Sequence, residues 1–206
     1  MTNTISESRV THSKRPALII LVLLAAVSPL AINLFVPSMP SIGEDLGAPY
    51  AQVQYGLSLY LVFTALLQPI SGPISDRIGR RPVLIVTLIL FLIGTLICMW
   101  SPNLTTFLIG RAIQAASAAG MVLSRAIVRD VYPREKSASM IGYVVMGMAV
   151  APMVGPAIGG AIDGWLGWRA SFGFLGLFGL VALLATWLAL PETNRSTASS
   201  FSQQVE

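Results

Sequence analysis

Six long apolar stretches, separated by short polar turns, account for most of this 206-residue chain. They fall at about residues 16–39, 51–72, 82–100, 104–128, 138–162 and 169–190. Each comes close to the ~20 residues that cross ~30 Å of hydrocarbon. None alternates apolar and polar positions as a barrel strand does, so the pattern predicts six transmembrane α-helices. The first stretch follows Lys14-Arg15 in the manner of a secretory signal. Five more spans follow it and no small-x-small cleavage site ends it, so it is read as a retained helix. The expected organisation is an N-terminal tail (residues 1–15), a six-helix bundle (16–190) and a Ser/Thr/Gln-rich polar tail (191–206).

Composition supports the membrane reading. Hydrophobic residues make up 54% of the chain and charged residues 11%, against roughly a quarter charged in soluble domains. The net charge of +4 does not point to nucleic acid, because the basic residues sit in short turns between apolar runs. Their distribution alternates. Arg9, Lys14 and Arg15 precede the first span, Arg77, Arg80 and Arg81 follow the second, and Arg129, Arg134 and Lys136 follow the fourth. The first connection carries only Glu44 and Asp45, the third no charge, and the fifth Arg169 alone. This bias predicts both termini in the cytoplasm, with Trp100, Trp165 and Trp168 at the outer interface.

Several residues stand out against the apolar background. Arg111 lies inside the fourth span with Gln114 three positions on, ~10 Å below the outer boundary at 1.5 Å per residue. An arginine at that depth needs a wet cavity or a partner and marks a functional site, with carbonyl bonding near a helix end as the structural alternative. Asn33 sits between Pro29 and Pro37 on a first span expected to kink, at a depth similar to that of Arg111. The two are expected to line one cavity, with Asn33 either binding substrate or joining helices. A semi-polar stripe of Gln54, Ser58, Leu61, Ala65 and Gln68 on the second span either borders a path or bonds neighbouring helices. In the fifth span Gly147, Ala151, Gly155 and Gly159 recur every four residues, with Pro152, Pro156 and Gly160 beside them, which predicts a close helix contact. Gly173, Gly176 and Gly179 predict a packing face on the sixth. Cys98 reads as a small buried residue, His12 has no role, and no Ser/His/Asp set, metal cluster or phosphate loop points to an enzyme.

The turn after the second span reads Gly72-Pro-Ile-Ser-Asp-Arg-Ile-Gly-Arg-Arg-Pro82. This resembles the loop between helices two and three of the major facilitator superfamily of secondary transporters. Gly110-Arg-Ala-Ile-Gln114 resembles that superfamily's fourth-helix motif, with Ala115 where a glycine is usual. The fifth-span string from Gly147 to Gly160 resembles the fifth-helix motif of its antiporters, and Leu190-Pro-Glu-Thr193 its exit from helix six. Asn33-Leu-Phe-Val-Pro-Ser-Met-Pro40 resembles the first helix of bicyclomycin/chloramphenicol-resistance drug:proton antiporters, which usually carry an aspartate at the position of Asn33. An amide releases no proton, and no other Asp or Glu falls within the predicted spans.

The resemblance implies half of the superfamily's fold: six helices as two inverted three-helix repeats. It implies proton-coupled efflux of small amphipathic or cationic compounds across the inner membrane by alternating access, without a cofactor. Arg111 is implicated in proton coupling. Gly72, Asp76, Arg77, Gly79, Arg80, Arg81, Arg129 and Asp130 are implied to form the cytoplasmic gate loop, with Arg134 and Glu135 as neighbours. A complete member has twelve spans, so this chain is expected to be a truncated product or to pair with a second six-helix half, another copy included. A non-transporting fragment or assembly partner, and a metabolite importer or facilitator without proton coupling, are the alternatives.

Overall fold

The structure of the protein, a computed structural model, describes residues 18–193. The expected N-terminal tail at 1–15, with Arg9, His12, Lys14 and Arg15, and residues 194–206 of the expected tail at 191–206 lie outside the described residues. The first apolar run forms α1 (Leu18–Asp45), which stays helical through Pro29, Pro37 and Pro40. A single turn, α2 (Tyr50–Val53), leads into α3 (Tyr55–Ile78), followed by α4 (Arg80–Met99). The fourth span is α5 (Leu104–Gln114), a 3₁₀ turn over Ala115–Ser117, and α6 (Ala118–Val131). Two last helices, α7 (Arg134–Leu166) and α8 (Trp168–Ala189), complete six spans long and apolar enough to cross a membrane. Most helices outrun the hydropathy limits at one end or both. In lipid every backbone polar group needs an internal partner, so helical pairing continues into the interfacial layer after the side chains turn polar.

The packing follows the pattern of two inverted repeats. The first span packs mainly against the fifth, as the second packs against the fourth, and the third lies against the sixth. Exchanging spans one to three with four to six maps this contact set onto itself. The first and fourth spans are the most enclosed, the second and fifth the most exposed.

The α1–α7 contact is close because α7 presents glycine. A Cβ on Gly155 falls 2.6 Å from Asn33 Cβ, and one on Gly159 falls 2.6 Å from the Leu34 carbonyl oxygen. Gly147 meets Val22, and Ala151 is buried on the same face. Pro152, Pro156 and Gly160 are exposed beside it. The small-residue row is thus consumed by α1 within this bundle. On α8, Gly179 approaches the Phe91 ring of α4.

The tryptophans differ in burial: Trp100 and Trp165 are exposed, whereas Trp168 is 4% exposed, with its Nε1 donating to Asp45 Oδ2 (3.3 Å). Its ring meets Phe107 and Phe172 edge-on at 5.9 Å between centroids in each case. Trp168 opens α8 directly after Gly167, which turns the chain (φ +81°) and folds this ring back into the bundle.

Candidate functional site

Arg111, in the last turn of α5, is fully buried. Its guanidinium carbon lies 4.4 Å from the Phe35 ring centroid and 4.5 Å from that of Tyr60. Nη1 donates to Gln114 Oε1 (2.5 Å) and to the Ala31 carbonyl (3.4 Å), and Nε donates to the Gly56 carbonyl (3.3 Å). The ion pairs among the described residues involve Arg80 and Arg169, not Arg111. Nη2 is buried without a partner among the described residues. The charge is therefore held by two aromatic faces and oxygen dipoles. A desolvated cation–π contact of this kind is worth about 2 kcal/mol or more, which offsets part of the cost of removing a guanidinium from water.

The surroundings orient the cluster. Gln114 Nε2 donates to Thr95 Oγ1 (2.8 Å), whose hydroxyl donates to the Phe91 carbonyl (2.7 Å). This link needs α4 and α5 in near contact, and Gly94 permits it: a Cβ there would lie 2.5 Å from the Gln114 amide nitrogen. The Tyr60 hydroxyl sits between Ser28 Oγ and Ser117 Oγ, at 2.8 Å from each. Ser117 ends the 3₁₀ turn, a tightening that follows directly on Gln114. Chemically, the cluster offers one permanent positive charge with an unused donor, able to take a carbonyl, carboxylate or water that reaches Nη2.

Asn33 is not part of this cluster. Arg111 meets α1 at Ala31 and Phe35, one turn apart, while Asn33 faces α7 at Gly155 and donates to the Pro29 carbonyl at 2.8 Å. Residues two apart on a helix point to nearly opposite sides, so the expected common cavity does not form. Gln54, Ser58, Leu61 and Ala65 lie exposed along α3. Ser58 Oγ donates to the carbonyl of Gln54, the residue that precedes α3 (3.4 Å), and Gln68 reaches Met121 Sδ of α6 (4.0 Å).

A second polar cluster closes the bundle end at the α3–α4 turn. Arg80 pairs with Asp76 (2.6 Å) and with Asp130 of α6 (3.1 Å) and also donates to Ser75 Oγ. The turn depends on Gly79 at φ +115°, a region costly for side chains. Glu192 then caps α4. Its Oε1 accepts the Arg80 amide (2.9 Å) and its Oε2 the Arg81 amide (3.2 Å), while Arg81 Nη2 donates to the Trp187 carbonyl (2.6 Å). Arg77 and Arg129 are exposed and make no ion pair among the described residues. A Cβ on Gly72 meets nothing within 4 Å, so packing gives no reason for glycine there.

Sequence reasoning missed several participants. Arg125 also lies inside the fourth span, with Nη2 3.6 Å from Met148 Sδ and a buried, unpartnered Nε. Arg125 stands three residues, ~4.5 Å, from the predicted inner end of that span, where an arginine can reach the interface by itself, so its depth gave a weaker signal than that of Arg111. Asp163 is a carboxylate within α7, because that helix runs on to Leu166, and it accepts from Ser41 Oγ at 2.6 Å. At the same bundle end Arg169 pairs with Asp45 at 2.5 Å. Phe35, Ser28, Ser117 and Thr95 carried no signal beyond residue type.

Known proteins share this architecture. The MFS-type transporter YdgK of Bacillus subtilis (strain 168) is 41% identical over 187 residues, covering 89% of this chain and 46% of that protein. The chloramphenicol resistance protein of Pseudomonas aeruginosa is 37% identical (80% and 40% covered), and multidrug resistance protein D of Escherichia coli (strain K12) is 35% identical (86% and 45%). The chain spans about half the length of these curated relatives. Among solved structures, the human organic anion transporter MFSD10 superposes with a TM-score of 0.72 at 22% identity, covering 85% of this chain and 47% of that one. A bacterial homolog of the human lysosomal transporter Spinster gives 0.74 at 25% identity, covering 86% and 43%. With six membrane-length helices in inverted repeats, and a family profile that matches residues 21–205, this multi-pass membrane chain belongs to the Major Facilitator Superfamily.

Proposed function

We propose that the chain supplies one six-helix half of a proton-coupled exporter of small amphipathic or cationic compounds, working by alternating access in the inner membrane. The observation that carries the reading is the fully buried Arg111 held by Phe35, Tyr60 and Gln114 without a carboxylate. An ionisable group inside a membrane span is a functional site by default. The relatives named for chloramphenicol and multidrug resistance support the substrate class. In this reading Arg111 and Gln114 respond to proton or substrate reaching Nη2, and the exposed Gln54 and Ser58 border the path. A second half, either a further six-helix unit or another copy, supplies the opposite wall. Asp76, Arg80 and Asp130 latch the cytoplasmic gate, with Arg77, Arg81 and Arg129 around it and both termini on that side. Asn33 is assigned to the α1–α7 contact.

A facilitator without proton coupling is the second reading. It is favoured by Asn33, whose amide is engaged with the Pro29 carbonyl and cannot titrate. Efflux of a fluorescent lipophilic cation from cells expressing this chain separates the readings. Efflux abolished both by a protonophore and by Arg111→Ala, with the variant still inserted, supports the exporter. Transport indifferent to the protonophore supports the facilitator, and no transport with any compound overturns both.

A further inference from the structure

A trough of ≈ 440 Å³ runs between α3, α4 and the fourth span. Ile70 and Ile74 form one wall, Val86 and Leu90 the other, and Ala112 and Ala116 the floor. At ~100° per residue the lining positions of α3 point roughly 145° away from the Gln54–Gln68 stripe. The trough therefore opens on a different side of α3 from the proposed path, and its occupancy does not depend on transport.

Its chemistry is that of hydrocarbon. The two hydroxyls on its surface are spent within their own helices: Ser71 Oγ donates to the Gln68 carbonyl (2.9 Å) and Thr87 Oγ1 to the Val83 carbonyl (2.9 Å). A polar ligand would give up its hydrogen bonds to water and regain none. On α3 the lining runs from Leu67 to Ile78, ~16 Å at 1.5 Å per residue, or about half of the ~30 Å hydrocarbon layer. That is the depth of one leaflet, too short to seat a whole helix of a second copy.

The trough ends at the charged α3–α4 turn. There Arg80 is committed to Asp76 and Asp130, and Arg81 donates to the Trp187 carbonyl. Arg77, next to the lining residue Ile78, is exposed and makes no ion pair among the described residues. Basic side chains at the membrane surface attract anionic headgroups. We infer that the trough seats an acyl chain of one anionic glycerophospholipid, with its phosphate held by Arg77.

The test is native mass spectrometry of the full chain released from nanodiscs of equimolar phosphatidylcholine and phosphatidylglycerol. Wild type retains phosphatidylglycerol in preference to phosphatidylcholine. Val86→Trp and Ala116→Phe, which fill the trough at its exposed rim and at its floor, lose the retained lipid. Leu66→Trp, on exposed α3 surface outside the trough, keeps it. Arg77→Gln keeps a bound lipid but loses the headgroup preference. Equal retention of both lipids by wild type overturns the inference, as does unchanged retention in a folded Val86→Trp. A change of oligomeric state in the filled variants, without loss of lipid, assigns the trough to a second copy and overturns it too.

Discussion

Glu192 closes the N-terminus of the helix that begins at Arg80, accepting that residue's amide at 2.9 Å from 112 positions away in sequence. The first turn of α4 has unsatisfied N–H groups, and Gly79 at the cap position has no side chain to meet them. A carboxylate there also complements the helix dipole. It ties the sixth span to the third at the turn where Arg80 holds Asp130. Glu192→Ala is expected to cost ~1 kcal/mol, typical of a lost cap, with Glu192→Gln milder because one acceptor remains. Thermal unfolding of the purified chain in detergent measures this, and an unchanged midpoint for Glu192→Ala would refute the cap.

Gly79→Ala should cost more than loss of the cap. The backbone stands at φ +115°, and a Cβ there would lie 2.6 Å from Glu192 Oε2. Backbone strain alone is ~1–3 kcal/mol. Combined with Glu192→Ala, the clash with the carboxylate vanishes, leaving the backbone strain and the lost cap. The double variant is therefore predicted to lose less than the sum of the single losses, a non-additivity read from the same unfolding curves.

Asp130 is expected to matter more than Asp76 for holding the turn. Both pair with Arg80, whose side chain is 11% exposed, but Asp130 is 28% exposed and Asp76 60%. Exposed pairs contribute ~0–1 kcal/mol because water and salt screen them. Asp130→Ala should lower the unfolding midpoint measurably, and Asp76→Ala should fall within about 1 kcal/mol of wild type.

Lysine is predicted not to replace Arg111. A planar guanidinium fits between the Phe35 and Tyr60 rings while donating from Nε and Nη1 along its edge. An ammonium is a strongly hydrated point charge without that fork. Arg111→Lys should lose stability and any efflux together. Tyr60→Phe keeps the ring and removes the partner shared by Ser28 and Ser117, a loss of ~1–3 kcal/mol for buried groups left unpaired. Equal stability of wild type and Tyr60→Phe would show that the hydroxyl network contributes nothing.

The glycines divide into two groups with opposite predicted responses. Gly159→Ala places a methyl 2.6 Å from the Leu34 carbonyl oxygen, so α1 and α7 must separate. Gly142→Ala and Gly164→Ala meet nothing within 4 Å and remove a helix penalty of ~0.5–1 kcal/mol. Folded yield should fall for the first and hold or rise for the other two, as read by size-exclusion chromatography of the solubilised chain.

Cys98 is fully buried, with its thiol directed at the Phe107 carbonyl (3.6 Å). A maleimide should leave it unmodified in the folded chain and label it fully after denaturation, as mass spectrometry of the intact protein would show.

The candidate site was partly legible in the order of residues. Arg111 announced itself by depth, because a guanidinium in an apolar run has few explanations. Its bond to Gln114 follows from i,i+3 spacing on one helix. Asn33 misled because depth along two helices says nothing of azimuth. Two residues at one level meet only if both face the same gap, and Asn33 faces α7 instead. The burial of Trp168 was not legible either: the turn at Gly167 carries its ring against Phe107 and Phe172. The Glu192 cap could not be read locally, since its donors lie in another span.

Hydropathy and charge by themselves determined the six spans and their helical form, because in lipid a backbone has no other way to satisfy its polar groups. Which helix meets which, and therefore what surrounds Arg111, was decided only by the tertiary structure. In a soluble helix the apolar stripe marks the buried side. In a membrane bundle the sides facing lipid and facing protein are both apolar, so the sequence carries little record of which way a helix is turned. Glycine contacts such as Gly155 on Asn33 and Gly94 on Gln114 set that rotation, and with it the closure of Phe35 and Tyr60 over the guanidinium.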